Sequence, residues 1–169
     1  MKKLIMINGT MGIGKTTTCN ELLKILKPSV FLDGDWCWNM NPFVVTEETK
    51  NLVMSNITHM LRNFLGCSIY ENVIFCWVMH KESIINDVID TLYDLEFELY
   101  IFTLTATEDA LRKRLANDIN NKIRTNDVIE RSFERVNLYK NIKSIKIDVS
   151  LITPKQAAQN IVDICGADI

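Results

Sequence analysis

The stretch Gly9-Thr-Met-Gly-Ile-Gly-Lys15-Thr16 decides the fold of this chain, because it matches the pattern G-x-x-x-x-G-K-[ST]. An apolar run at residues 4–7 precedes it, and leucines at helical spacing follow it. In a strand–loop–helix unit of this kind, backbone N–H groups of the loop and of the first helical turn surround a phosphate. The sequence therefore predicts a site for nucleotide phosphates. The alternative is a chance match, which the flanking strand and helix patterns disfavour.

Two side chains of this loop are predicted to bind different groups, one the phosphates and the other the metal ion. Lys15 is expected to reach the β- and γ-phosphates, and the Thr16 hydroxyl is expected to ligate Mg²⁺. Glycines allow the backbone to approach the phosphates closely. The predicted cofactors are ATP and Mg²⁺, and the predicted binding residues of the loop are Gly9, Thr10, Met11, Gly12, Ile13, Gly14, Lys15, Thr16 and Thr17.

The composition of the chain excludes several other classes of protein. Its 169 residues are 47% hydrophobic and 24% charged, which is typical of one globular domain and not of disordered, collagen-like or membrane proteins. With 19 basic and 21 acidic side chains, the net charge is −2, which disfavours general nucleic-acid binding. The longest apolar run, residues 73–79, is too short to cross a membrane.

The cysteines and the first residues bear on where the protein works. The chain has five cysteines at irregular spacing and no C-x-x-C motif, which fits a reducing compartment. The basic start reaches Asn8-Gly9 before the apolar core of a signal peptide develops, so no targeting segment is expected. Both features predict a cytoplasmic protein.

Apolar runs rich in β-branched and aromatic residues alternate with helix-length segments along the chain. Continuous apolar strands between helices are typical of a parallel sheet covered on both faces. Thr107 and the pair Thr153-Pro154 are predicted helix starts. The predicted order is β-α-β-α-β-α-β-α-α-β-α, an α/β sandwich. We expect one domain at residues 1–169 with a short lid around residues 116–127, and residues 116–126 are expected to be its least regular part.

The second apolar run ends in two acidic residues, Asp33-Gly-Asp35. Residues two apart on an extended chain point the same way, and ligands of open α/β sheets bind at the carboxyl ends of strands. Two carboxylates beside a phosphate loop indicate a division of labour, in which one serves Mg²⁺ and the other accepts a proton. We expect Thr16 and Asp33 to serve the metal and Asp35 to be the base, although the opposite assignment of the two acids stays open. The alternative is a surface turn, which Asp-Gly favours.

These motifs resemble those of the small P-loop kinases: gluconate, adenylylsulfate and shikimate kinases and related antibiotic phosphotransferases. Arg124-Thr-Asn-Asp127 followed by Arg135-Val-Asn-Leu-Tyr139 is similar to the lid arginine and helix motif of the nucleoside monophosphate kinases. The resemblance implies a five-stranded parallel sheet in the order 2-3-1-4-5, with helices on both faces. It also implies transfer of the γ-phosphoryl group of ATP to a small molecule.

The same resemblance implies roles for three arginines. Arg124 would close over the transferring phosphoryl group, and Arg135 would clamp it from the next helix. Arg114 would lie against the adenine or the phosphates. The chain departs from the family at Asp118, where a further arginine is common. The alternative for Arg135 is a solvated helix surface on which arginines pair with neighbouring glutamates.

The acceptor side of the predicted site is less defined by the sequence. Trp36 and Trp38 follow the second acid in a polar loop, where they could stack on a flat acceptor or form a small satellite core. His80 could touch the acceptor or be structural, and His59 on a helical segment is expected to be structural.

Open acceptor classes are nucleosides or nucleotides, sugar acids and antibiotic hydroxyls. Alternative functions are an ATP-binding regulatory protein without transfer and a polynucleotide-end kinase. Oligomeric state is not predicted.

Overall fold

The computed structural model describes residues 1–166 and contains one sheet of five parallel strands. The strands lie in the spatial order β2-β3-β1-β4-β5, which confirms the predicted fold class and strand order. Their bounds are β1 Lys3–Asn8, β2 Ser29–Asp33, β3 Asn72–Cys76, β4 Glu98–Thr105 and β5 Ile145–Asp148.

Six α-helices connect and follow the strands in the predicted order. Two short 3-10 helices, Gly34–Trp38 and Asn137–Asn141, follow β2 and α5. One expectation was wrong: residues 116–120 are not irregular but complete the fourth helix, so that only residues 121–127 connect it to the fifth. The helices are α1 Lys15–Ile25, α2 Glu47–Gly66, α3 Glu82–Asp90, α4 Glu108–Asn120, α5 Val128–Val136 and α6 Pro154–Cys165.

Both predicted helix starts are confirmed by their hydrogen bonds. The Thr107 hydroxyl accepts a bond from the backbone N–H of Ala110 at 3.3 Å, which caps α4. Thr153 and Gln156 bond to each other's backbone N–H groups at the start of α6, with Pro154 in the first turn. Such caps satisfy N–H groups that have no partner inside the helix.

Two apolar clusters cover the two faces of the sheet. Side chains alternate along a strand, so Ile5 and Ile7 of β1 face one cluster, with α1 and α6, while Leu4 and Met6 face the other, with α2 and α3. All four side chains are fully buried. The central strand is therefore fixed on both sides, and the phosphate loop begins where it ends.

Two further findings concern the environment of the protein. All five cysteines are free thiols. Among residues 1–166, no helix is both long and apolar enough to cross a membrane. The cytoplasmic location and the single-domain organisation stay predictions.

Candidate active site

The phosphate loop occupies the turn between β1 and α1, at the carboxyl end of the central strand. Gly12 shows why its glycines matter. Its φ is +76°, and a Cβ there would lie 2.3 Å from Cδ2 of Leu115 on α4. Both the left-handed backbone and the close approach of α4 therefore require glycine at this position.

Asn8, the last residue of β1, holds the start of the phosphate loop through side-chain hydrogen bonds. Its side chain is fully buried, and its Oδ1 accepts hydrogen bonds from the N–H groups of Gly9 at 2.8 Å and Met79 at 3.0 Å. Its Nδ2 donates to the carbonyl oxygen of Met79 at 2.7 Å. This amide thus ties the phosphate loop to the connection between β3 and α3, where His80 lies.

The Lys15 ammonium folds back over its own loop. Its Nζ donates to the carbonyl oxygens of Gly9 at 2.9 Å and Thr10 at 3.0 Å. Burial lowers the pKa of Lys15, an effect opposed by the nearby charges of Asp35 and Asp33. A cation held in this way and partly shielded from water is well placed to bind phosphate oxygens.

Asp33 and Thr16 form the candidate metal pair. The Thr16 hydroxyl donates to Asp33 Oδ2 at 2.7 Å, and Asp33 Oδ1 accepts from the N–H of Asp35 at 3.0 Å. Within the described residues, no group of three or more His, Cys, Asp or Glu could hold a metal by itself. A hydroxyl and one carboxylate fit Mg²⁺, which prefers oxygen ligands and commonly takes its others from phosphates and water.

Asp35 is oriented by the turn that follows β2. A Cβ on Gly34 would lie 2.6 Å from Cγ of Trp77, so the Trp77 indole packs directly on the glycine between the two acids. The pKa of Asp35 is raised, first by protein atoms that displace water from its carboxyl and then by the charge of Asp33. Lys15 and Arg124 oppose this rise in the pKa. A carboxylate with a raised pKa is a stronger base than an ordinary aspartate.

A cavity of about 320 Å³ opens above the loop. This volume lies in the range of small-ligand sites, which is roughly 300–1,000 Å³. Its lining joins the loop and Asp35 to side chains from α4, from the α4–α5 connection, and from the segment that ends β5 and begins α6. Those side chains are Arg114, Asn117, Asp118, Arg124, Val149, Ile152, Pro154 and Ala157.

Two of the three predicted arginines line this cavity. Arg114 Nη1 donates to the carbonyl oxygen of Ile13 at 3.0 Å, and Nη2 donates to that of Val149, so this arginine joins the loop to the end of β5. Arg124 lies in the α4–α5 connection, and its Nε donates to Asp118 Oδ2 at 3.0 Å. Both guanidinium groups therefore border the same space as Lys15 and Asp35.

Arg135 lies outside that cavity, and its charge acts on His80, which is half-buried, and on Tyr139, which is buried. Burial lowers the pKa of His80, and the charge of Arg135 lowers it further. The charge of Arg135 also acts to lower the pKa of Tyr139. The pKa of Tyr139 is nevertheless raised, because burial and the charge of Asp35 outweigh the charge of Arg135. Within the described residues, His80 Nδ1 and the Tyr139 hydroxyl are buried without a hydrogen-bond partner. Asp35 therefore lines the cavity and also acts through its charge on Tyr139.

The two tryptophans after β2 have different neighbours. Trp36 is 54% exposed, and its ring lies 5.2 Å from that of Phe31 in an edge-on arrangement. Trp38 packs against the α2–α3 cluster, with its ring 5.8 Å from that of Phe43. Phe31 belongs to the opposite cluster, so the two indoles do not share one packing partner. His59 is exposed on α2.

Comparison with known proteins identifies the family of this chain. A family model described as an AAA domain matches residues 5–135. The chain belongs to the AAA-domain family. A search of curated protein sequences found no match.

Several solved structures resemble this AAA-domain protein over nearly its whole length. The tunicamycin resistance protein of Deinococcus radiodurans is 20% identical, with a TM-score of 0.71 over 99% of this chain and 98% of that one. Shikimate kinase from Acinetobacter baumannii, in complex with shikimate, is 17% identical, with a TM-score of 0.66 over 98% and 93%. APS kinase from Mycobacterium tuberculosis, in complex with AMPPNP and APS, is 12% identical, with a TM-score of 0.68 over 98% and 98%. The likeness confirms the P-loop kinase-type fold.

The structure brings most of the predicted site residues of this AAA-domain protein together. Residues 11–17, Asp35, Arg114 and Arg124 line one cavity, and Thr16 contacts Asp33. Four predicted residues are not part of the cavity lining: Gly9, Thr10, Asp33 and Arg135. Of these, Arg135 lies on the side of Tyr139 and His80. The chemical roles of all these residues stay predictions.

Sequence reasoning missed several residues that shape the site. Asn8 had a signal, because it is a polar residue at the end of an otherwise apolar run. Ser132 had a weaker one: it follows Val128 by four residues, which places it on the buried face of α5. The role of Trp77 had no signal in the sequence, since only the fold brings its ring against Gly34.

Proposed function

We propose that this AAA-domain protein is an ATP- and Mg²⁺-dependent kinase that phosphorylates a hydroxyl group of a small molecule. The observation that carries the proposal is that Asp33 and Asp35, at and just after the end of β2, lie beside the phosphate loop. Asp33 contacts Thr16 at 2.7 Å, and Asp35 lines the cavity that also holds Lys15 and Arg124. A protein that only bound ATP would not need a carboxylate with a raised pKa beside the phosphates.

The nucleotide would occupy the cavity with its phosphates in the loop. Loop N–H groups and Lys15 would hold the β- and γ-phosphates, and Thr16 with Asp33 would hold Mg²⁺, which neutralises phosphate charge when bound. The adenine ring of ATP would lie towards Arg114, Ile152 and Pro154, where the cavity has apolar walls beside a guanidinium group. Flat aromatic ligands suit such a surface.

The transfer step would place the acceptor on the Asp35 side of the γ-phosphate. The acceptor hydroxyl oxygen attacks phosphorus, its proton passes to the Asp35 carboxylate, and the bond from phosphorus to the bridging oxygen of ADP breaks. Arg124 would stabilise the negative charge spread over the transferring group. The acceptor would face Arg135, Tyr139 and His80. The last two carry buried polar atoms that have no hydrogen-bond partner in the described part of the chain.

The proposal is tested by ADP release from Mg²⁺-ATP over a panel of acceptors. The panel contains nucleosides, nucleoside monophosphates, sugar acids, shikimate, aminoglycosides and chloramphenicol-like drugs. One acceptor is expected to raise turnover well above basal hydrolysis. ATP binding without stimulation by any acceptor or by a 5′-hydroxyl oligonucleotide would count against a kinase and favour a regulatory ATP-binding protein. Stimulation by the oligonucleotide alone would identify a polynucleotide-end kinase.

Three variants assign the result to the site. Lys15→Ala is expected to abolish turnover, whereas Lys24→Ala, on an exposed part of the same helix, keeps it. Asp35→Asn is expected to bind ATP with unchanged affinity and to transfer at least a hundredfold more slowly, in line with the loss of a general base. Undiminished transfer by Asp35→Asn would remove the base from the proposed mechanism.

A further inference from the structure

The phosphate loop is joined to α5 through two buried hydroxyl side chains. Thr10 Oγ1 donates to the carbonyl oxygen of Ser132 at 3.0 Å and lies 2.9 Å from Ser132 Oγ. Ser132 Oγ donates to the carbonyl oxygen of Met11 at 3.0 Å. Thr10 is 2% exposed and Ser132 is fully buried, so water does not compete for these bonds.

The number of protons on the Thr10 and Ser132 hydroxyls determines which group donates in each hydrogen bond. Each hydroxyl carries one proton, and the two carbonyl oxygens can only accept. Both carbonyls are satisfied only when Thr10 donates towards Ser132 and Ser132 donates to Met11, with the two hydroxyl oxygens in contact. Loop and helix are thus bonded in both directions, each side chain to the other's backbone.

These bonds fix the part of α5 that carries Arg135. Arg135 lies three residues after Ser132, which puts the two on neighbouring positions of the helix surface. The other contacts of α5 are less directional: Val128 is buried in the α1–α6 cluster, and the Arg112 guanidinium lies over the Phe133 ring at 4.8 Å. Apolar burial holds a helix against the core, but hydrogen bonds set its position along its own axis.

We propose that Thr10 and Ser132 are positioning residues that couple the phosphate loop to α5, so that phosphate binding and the placement of Arg135 are linked. A bound phosphate restrains the backbone at residues 10 and 11, and both residues are held to Ser132. Restraint of the loop therefore restrains the helix. The kinetic consequence rests on the proposed kinase function, whereas the coupling requires only that ATP binds.

Hydrogen exchange of the intact protein, with and without Mg²⁺-ATP, tests the coupling directly. In the unmodified chain, ATP is expected to slow amide exchange in residues 9–16 and also in α5. In Ser132→Ala, the loop keeps its protection, while ATP-induced protection of α5 falls at least threefold. Thr10→Val is expected to lower the protection of α5 by a similar factor. Thr10→Ser keeps the hydroxyl and is expected to keep the protection of α5.

A second hydroxyl pair provides the matched control. Thr103 Oγ1 and Ser144 Oγ lie 2.7 Å apart between β4 and the start of β5, and neither is bonded to the phosphate loop. Ser144→Ala removes a comparable bond and is expected to leave ATP-induced protection of α5 intact. Protection of α5 that is absent in the unmodified chain, or unchanged in both Ser132→Ala and Thr10→Val, overturns the proposal.

Steady-state kinetics separate positioning from simple support of the fold. With an acceptor in hand, Ser132→Ala is expected to lower kcat about three- to tenfold, the range of one hydrogen bond, while the KM for ATP changes less than twofold. Thr10→Val combined with Ser132→Ala should be no slower than the slower single variant. Additive losses, or a change in the KM for ATP alone, contradict the proposal. If no acceptor is found, the kinase function fails, and the exchange experiment still decides the coupling.

Discussion

Asp118 Oδ2 accepts a hydrogen bond from Arg124 Nε at 3.0 Å, and the two side chains face the same cavity. Because the bond uses Nε, both terminal NH₂ groups of Arg124 are left for phosphate oxygens. Asp118 therefore gives the α4–α5 connection an orienting carboxylate at a position where the resembling kinases commonly carry an arginine.

This geometry predicts that Asp118 orients the arginine. Asp118→Ala is expected to lower kcat about two- to fivefold, the effect of an exposed ion pair, with little change in the KM for ATP. Asp118→Asn keeps an acceptor for Arg124 Nε, so its kcat should lie between those of the unmodified enzyme and Asp118→Ala. The control is Glu108→Ala, which breaks the exposed ion pair between Arg112 and Glu108 on the same helix and should leave kcat unchanged. A faster Asp118→Ala enzyme would mean that the carboxylate competes with phosphate for Arg124.

The pKa of Asp35 predicts the acidic limb of the pH profile. A general base must be deprotonated, so activity falls as the pH drops through its pKa. Since burial and the charge of Asp33 raise the pKa of Asp35, the limb is expected at a higher pH than an ordinary aspartate gives. The charge of Arg124 lowers the pKa of Asp35, so Arg124→Gln should move the limb to still higher pH.

The measurement is kcat/KM against pH for the unmodified enzyme and Arg124→Gln. Arg112→Gln is the matched control, because Arg112 pairs with Glu108 and is not among the charges that act on Asp35. A limb that stays in place or moves to lower pH in Arg124→Gln contradicts the assignment of Asp35 as the titrating base.

The Tyr139 hydroxyl, which is buried with no hydrogen-bond partner among residues 1–166, predicts opposite effects on stability and on acceptor binding. A buried hydroxyl without a hydrogen bond destabilises the folded state, so Tyr139→Phe should be at least as stable as the unmodified chain. If the hydroxyl binds the acceptor, the same variant raises the acceptor KM by about two- to tenfold. Thermal unfolding and acceptor titration measure the two effects. A clear loss of stability with an unchanged acceptor KM would place the hydroxyl in the fold and not in the site.

The fold was predictable because its evidence is local. Most strands are short apolar runs, the loop motif follows the first of them, and Thr107 and Thr153 mark helix starts. Strand order came from the resemblance, since periodicity does not reveal which strands are neighbours. The extent of α4 was misjudged because residues 116–120 are mostly polar, and their helix is stabilised by packing that local propensity does not register.

The candidate site was predictable where one motif supplies the residues and less so where distant segments meet. Asp33 and Asp35 follow a strand directly, so their place beside the loop could be inferred from topology. The contact between Thr10 and Ser132 spans 122 positions of the chain, and nothing in either segment alone specifies it. Arg114 was expected near the nucleotide, but its bonds to Ile13 and Val149 show that it also joins the cavity walls.

Gly34 offers a test of how the two acids are held. Gly34→Ala would place a Cβ 2.6 Å from Cγ and 2.7 Å from Cδ1 of Trp77, so the indole must move. Overpacking of this kind is expected to lower the free energy of unfolding by about 1–3 kcal/mol. Because the Trp77 side chain acts on the Asp35 carboxyl, turnover should fall as well.

Gly66→Ala is the control for this substitution. Gly66 ends α2, and a Cβ there would meet no atom of the described residues within 4 Å. Alanine should therefore leave stability unchanged or raise it by about 0.5–1 kcal/mol. Denaturant unfolding and turnover of both variants are compared with those of the unmodified chain. If Gly34→Ala were as stable and active as Gly66→Ala, the Trp77 ring could shift freely, and its packing on Gly34 would not be what holds Asp35 beside the phosphate loop.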